Sequence, residues 1–449
     1  MQPAPAPAPP PAARQADLVG PYHDPDHARG ALPAIADRDR DLLALRTSLD
    51  AMYAHRTAKL ARYALDENAL FADAGHALDA ATTWAQYDAA IYNALARFHD
   101  GHLSYKPPAT AAPKRGYTAF SLGIQTVRAG MRVLIADVEH PSDVATAGVA
   151  PGDEVVAIDG TPIADVLADA GKSRAVSRPE SAMTTFARTW TTVLYPKDAP
   201  PRARSIRVAK RDGTQVDVAI TPVEKPHVHH DPVAVTGDAA VAIVSVHSLE
   251  GGTKIAALVD DAFAKARASK AIVIDLRGNR GGVDVVGHRL LADLAQGTAS
   301  LGSYRVLVAP ETLALRPMWK SLVATADGLS APQPITVPAL DHGFTGKLAV
   351  IVDAACASTC EVVAAALRAD LHAFVLGETT GGSSGAPVTI QLPVSHASVS
   401  IPTWNLTSAE GQPIEDVGVV PDLALDPTPE SLAKGQDLLL DTAIGKIHP

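Results

Sequence analysis

The sequence predicts an α/β core with a largely parallel sheet, preceded by a helical bundle and a β-rich segment. Three observations carry that prediction. An apolar run, Leu348-Ala349-Val350-Ile351-Val352, stops at Asp353 and meets the small-residue stretch Ala354-Ala355-Cys356-Ala357-Ser358-Thr359-Cys360-Glu361. A helical pattern begins at Val362, so this stretch is a turn between a buried strand and a helix. Upstream, a second apolar strand over 271–276 runs into Arg277-Gly278-Asn279-Arg280-Gly281-Gly282. From residue 240 onward, strand-like and helical stretches alternate, the order that builds a parallel sheet.

Taken in chain order, residues 1–33 are a tail and lead-in. The first fourteen residues are almost wholly Pro and Ala and should form an extended, unpacked segment. They lack the positive start and apolar core of a secretory signal. Residues 34–112 form a helical domain: Leu42, Leu43, Leu45, Leu49, Met52 and Tyr53 recur at helical steps, and 69–81 and 84–98 continue the pattern. This segment closes on Phe98-His99-Asp100-Gly101-His102, then a strand-like Leu103-Ser104-Tyr105. Residues 113–225 read as short strands with turn signals. The pair Pro151-Gly152-Asp153 and Asp159-Gly160, flanking Glu154-Val155-Val156-Ala157-Ile158, is similar to a PDZ domain. That resemblance implies that backbone N–H groups at Ser121, Leu122, Gly123 and Ile124 receive a peptide's terminal carboxylate while the peptide adds a strand. Residues 226–449 are the α/β core. They open on a His-rich linker at 227–230, read as solvated, and end in a closing helix over 437–447.

Composition removes several classes of function. The chain has 449 residues, 47% of them hydrophobic, enough for full cores in two or three domains. A net charge of −10 with no basic stripe, and 4% aromatics, argue against nucleic-acid binding. No apolar run reaches the roughly 18 residues that a membrane helix needs. The only cysteines are Cys356 and Cys360, flanking Ser358. They read as small residues packing a crowded turn or as a disulfide bracing it; a lone pair is poor evidence for zinc.

Ser358 at such a turn has the N–H groups of a helix start beside it, the ordinary source of oxyanion donors. A serine nucleophile also needs a base and a group to orient that base. With sixteen histidines in the chain, a histidine alone identifies nothing.

Four motifs in order make the selection: Asp275-Leu276-Arg277-Gly278-Asn279-Arg280-Gly281-Gly282, the Ala357-Ser358-Thr359-Cys360-Glu361 turn, Gly377-Glu378-Thr379-Thr380-Gly381-Gly382, and the run from Pro413 through Glu415 to Asp422. Together with the PDZ-like segment they resemble the S41 peptidases, which include the C-terminal processing (tail-specific) proteases and the tricorn core protease. The likeness spans roughly residues 90 to 425 and implies a crotonase/ClpP-like core. It places the nucleophile at Ser358. One branch of the family uses a lysine about two dozen residues later, but Gly381-Gly382-Ser383-Ser384-Gly385 holds none and Ser383 falls near that place. The tricorn-like branch implies His102 as base and Glu415 as its orienting carboxylate. Gly281 or Gly282, together with Thr359, would supply oxyanion N–H groups. His99 and Asp416 are the neighbouring alternatives for base and orienter. Asp275 and Arg277 read as braces, Glu361 as a first-turn helix residue, and Ser104 has no assigned role. The expectation is a serine endopeptidase acting on polypeptides through an acyl-enzyme, with no cofactor or metal, in the periplasm or outside the cell. The rivals are a carrier and a peptide-capturing scaffold on the same fold.

Overall fold

Aliphatic runs without polar alternation are buried on both faces, and here they form the central sheet. In the computed structural model, which describes residues 29–108, 117–172, 175–196, 201–225, 231–340 and 343–448, that sheet has six strands. Their order is Val233–Gly237, Val241–Val246, Ala271–Asp275, Lys347–Val352, Phe374–Gly377 and Leu423–Ala424. The first pair is antiparallel and every later pair parallel. Ile272, Ile274, Val350 and Val352 pack one face against the helices Thr253–Ala266, Asp284–Leu294 and Thr359–Leu371. Val273, Ala349 and Ile351 pack the other against the closing helix Leu438–Ile447. Burying each of these valines and isoleucines stabilises the fold by about 1.5–3 kcal/mol. The Pro/Ala-rich start and the histidines at 227–230 lie outside the described residues.

The N-terminal helices run over Ile35–Met52, Glu67–Ala80 and Trp84–Ala96. Asp66 caps the second through the N–H groups of Asn68 and Ala69, and Thr83 with Gln86 forms a capping box on the third. A further short helix, Arg56–Arg62, lies between the first two. The apolar faces of this bundle share a core with Leu392, Val399 and Ile401, which come from the far end of the chain. Strand Ser104–Lys106 then pairs antiparallel with Ser398–Ile401, so Ser104 is a ladder residue opposite Ser400. This pairing delivers the segment containing His102 to the core.

The β-rich segment forms an antiparallel sheet ordered Ile124–Ala129, Arg132–Val138, Glu154–Ile158, Arg204–Ala209, Gln215–Ile220. It also contains two helices, Ile163–Lys172 and Pro179–Thr189, where the sequence reading had only strands. Signals for both exist: Ile163, Val166, Leu167 and Ala170 fall at helical steps, and Pro179 takes a first-turn position followed by Glu180. The stretch after residue 310, unassigned from sequence, folds as the helix Pro310–Leu315, a short 3-10 turn and the strand Gln333–Val337. That strand joins Ala299–Val306, which pairs in turn with Trp404–Thr407.

Candidate active site

Ser358 is the residue immediately before the helix Thr359–Leu371, with φ 59° and ψ −129°. A non-glycine residue held at positive φ marks a backbone that its surroundings over-determine. Two groups hold it: the Ser358 N–H donates to the Ser383 carbonyl at 2.8 Å and to Glu361 Oε2 at 3.1 Å. Cys356 and Cys360, both fully buried, are joined by a disulfide that brackets the turn.

Glu361 does more than favour a helix N-terminus. Its buried carboxylate accepts from Thr380 Oγ1 (2.5 Å), Gly382 N–H (2.7 Å), Ser383 N–H (2.8 Å) and Ser358 N–H. It therefore ties the Ser358 turn to the loop 380–384. Burial pushes its pKa up to about 8, against the opposing pull of these donors. The sequence carried a sign of this clamp, since Ser358-x-x-Glu361 has the capping-box spacing.

His102 is half-buried, and its Nδ1 lies 2.9 Å from Ser383 Oγ. Its backbone N–H donates to Asp100 Oδ1. Burial pulls the imidazole pKa below its ordinary value, more strongly than Asp100 raises it. No hydrogen bond joins His102 to Ser358 among the described residues, but both are attached to Ser383, one through its hydroxyl and one through its carbonyl. His99 packs its ring against Tyr63 with centroids 4.3 Å apart and gives its carbonyl to Lys59.

Glu415 does not reach His102 as the sequence reading expected. Its Oε1 pairs with Lys59 Nζ at 2.6 Å and accepts from Ser177 Oγ at 2.6 Å, while Oε2 accepts from Ser384 N–H at 2.8 Å. Lys59 is wholly buried and also donates to Asp416 Oδ1 (2.6 Å) and to the His99 carbonyl (2.7 Å). Asp100, equally buried, accepts from Tyr53 and pairs with His55. Burial raises the Glu415 pKa, reinforced by Asp100. Burial would lower Lys59, but Glu415, Asp100 and Asp416 outweigh it and hold the ammonium charged. Ligand atoms of His55, Asp100 and Glu415 lie within 4.8 Å of one another. The Lys59 ammonium already supplies the positive charge they face, so the set does not fit a metal.

Gly281 packs directly on the turn: a Cβ there would lie 2.5 Å from the Ala357 carbonyl and 2.9 Å from Ser358 Cβ. Its own N–H is engaged by Asn279 Oδ1 at 2.8 Å. The N–H groups of Gly282 and Thr359 make no hydrogen bond among the described residues, which leaves them as the candidate oxyanion donors. Asp275 and Arg277 act as braces, pairing at 2.6 Å, with Arg277 reaching on to Asp437 at the start of the closing helix.

At the proposed peptide loop, two donors are occupied. Leu122 N–H bonds the Thr191 carbonyl and Gly123 N–H bonds Ser121 Oγ. Ile124 is buried and opens the sheet-edge strand, opposite Val138. Between that strand and the ends of the core strands lies a cavity of about 1010 Å³. Its walls carry the ion pairs of Arg128 with Glu378 and Arg188 with Asp353, and neither Ser358 nor His102 lines it.

Lys59 and Ser177 are the site residues that the sequence does not point to, Ser383 has no part assigned there, and Glu361 has only that of a first-turn helix residue. A lysine in a basic seven-residue helix reads as solvated, and nothing local marks Ser177 as buried. Both meet Glu415 or Asp416 through chain segments more than 200 residues away.

Against this geometry, residues 240–425 match the model of peptidase family S41. No curated protein sequence is significantly similar to the chain. Among solved structures, mature CPAF is similar with a TM-score of 0.69 and 15% identity, covering 91% of this chain and 96% of that one. The complex of mature CPAF with lactacystin gives 0.68 and 14%, over 91% and 98%. A protein from Parabacteroides merdae gives 0.51 and 15%, over 93% and 98%. At these identities the likenesses establish the fold. The matched segment, residues 240–425, holds both strand-ending turns, and over that α/β core the chain is of peptidase family S41.

Proposed function

We propose that the chain is a serine endopeptidase of the processing type, cleaving polypeptides through an acyl-enzyme on Ser358. The observation that carries this reading is the Ser358 turn itself. A hydroxyl projects from a residue held at φ 59°, with Gly281 packed against it and the N–H groups of Gly282 and Thr359 unengaged among the described residues. In the first step His102 Nε2 takes the Ser358 proton as Oγ attacks the scissile carbonyl. The oxyanion is received by Gly282 and Thr359. The imidazolium then protonates the leaving amine, and water repeats the sequence to release the acid. No hydrogen bond joins base and nucleophile among the described residues, and substrate binding is expected to bring that bond into place. Each oxyanion donor contributes on the order of 3 kcal/mol. Glu415 acts at one remove, fixing Ser384 and the 380–384 loop. The Cys356–Cys360 disulfide suits an oxidising compartment, the periplasm or cell exterior.

The test is labelling by a fluorophosphonate probe together with cleavage of an unfolded polypeptide, read by mass spectrometry. Both are expected in the native chain and absent in Ser358→Ala. Peptide binding without any cleavage product would overturn the enzyme in favour of a capturing scaffold. Because mature CPAF has been solved in complex with lactacystin, that compound is a second ligand to test, with binding compared between the native chain and Ser358→Ala.

A further inference from the structure

We propose that Ser383 is the positioning residue for His102, holding the imidazole through Nδ1 in the role that the sequence resemblance gives to a carboxylate. The proposal rests on the reading of His102 as the base for Ser358. Ser383 Oγ is 2.9 Å from His102 Nδ1, and no carboxylate hydrogen-bonds the ring among the described residues. Asp100 engages the His102 backbone, and Glu415 is held by Lys59, Ser177 and Ser384.

Ser383 is itself fixed at both ends of its peptide unit. Its N–H donates to Glu361 Oε2 at 2.8 Å and its carbonyl receives the Ser358 N–H at 2.8 Å. One residue thus sets the position of both partners in the proton transfer. The absence of a side chain at Gly101 makes room for it: a Cβ at 101 would come within 2.6 Å of Ser383 Oγ. A hydroxyl accepting the Nδ1–H selects the tautomer that leaves the Nε2 lone pair free to act as base. Being neutral, it stabilises the imidazolium by a hydrogen bond without an ion pair.

The experiment compares Ser383→Ala and Ser383→Thr in the full chain. Ser383→Ala is expected to lose about tenfold or more in kcat/KM, the size of one hydrogen bond. Its acidic limb should move to lower pH, because the imidazolium loses an acceptor. The downfield Nδ1–H resonance of ¹⁵N-labelled histidine should disappear with it. Ser383→Thr keeps the hydroxyl and should restore the resonance and the limb. A Ser383→Ala enzyme with unchanged limb and unchanged Nδ1–H signal would overturn the proposal, whatever its rate, because a merely structural loss moves neither. Ser358→Ala is the separate control. Activity surviving there removes the serine reading itself, whereas activity lost there but untouched in Ser383→Ala removes only the role of Ser383.

Discussion

His102 sits in a pocket that disfavours its charged form, and with His102 proposed as the base that sets the direction of the pH response. Burial lowers its pKa, so the neutral base persists to a pH below the usual imidazole value of about 6.5. As pH falls through that lowered value the base protonates and the rate is lost. The acidic limb of kcat/KM is therefore expected below pH of about 6.5; a limb above it would contradict the assigned cause. Lys59 presents the opposite case, a buried charge that is wanted. Replacing it by Met takes the ammonium from Glu415 and Asp416, leaving Asp416, as cation among the described residues, only the more distant Arg62 at 3.7 Å. Breaking such a pair is expected to cost about 3–5 kcal/mol in urea unfolding. If Lys59→Met is neutral, the ion pairs are not the support they resemble. The sequence made the Ser358 turn legible because a small-residue stretch between strand and helix is a local pattern, whereas only the family resemblance singled out His102 among sixteen histidines. The sequence could not show that a lysine in a basic helix is wholly buried, since burial belongs to the assembled chain.

At the scale of elements, the strand–turn–helix around Ser358 was readable from periodicity alone: apolar strand, small-residue turn, helix. What holds the turn was only half readable. The Ser358-x-x-Glu361 spacing announced a cap, but the reach of Glu361 to residues 380–383 needed the parallel pairing of Lys347–Val352 with Phe374–Gly377. The helix Pro179–Thr189 was legible in its Pro-Glu start yet overlooked, because strands dominate the surrounding segment. The turn thus has two kinds of support, a disulfide and hydrogen bonds. The disulfide closes a very short loop, so the chain-entropy contribution is about 2 kcal/mol. Cys356→Ala/Cys360→Ala is expected to lose about that much unfolding free energy while probe labelling of Ser358 survives, because Glu361 and Ser383 still hold the nucleophile's amide. Labelling abolished in a variant that still unfolds cooperatively would assign the turn geometry to the disulfide instead.

Over the whole molecule, the N-terminal helices are a structural part of the core. Their apolar faces meet Leu392, Val399 and Ile401, and Thr312 Oγ1 donates to the Ala51 carbonyl. Lys59 joins Glu415 and Asp416 across more than 350 residues, and Ser177 reaches Glu415 from the β-rich segment. The family match begins only at residue 240, but the core it covers cannot be closed by itself. Removing residues 29–108 would bare the apolar face of the 388–401 hairpin and strip Ser398–Ile401 of its Ser104–Lys106 partner. It would also leave two buried carboxylates without their ammonium. Each loss alone costs a few kcal/mol, comparable with the whole net stability of a domain, about 5–15 kcal/mol. A chain starting at residue 109 is therefore expected to show no cooperative unfolding transition and no labelling of Ser358. A sharp transition from that shortened chain would mean that the α/β core folds independently, and that the Lys59 network serves only to dock a separate unit carrying the base.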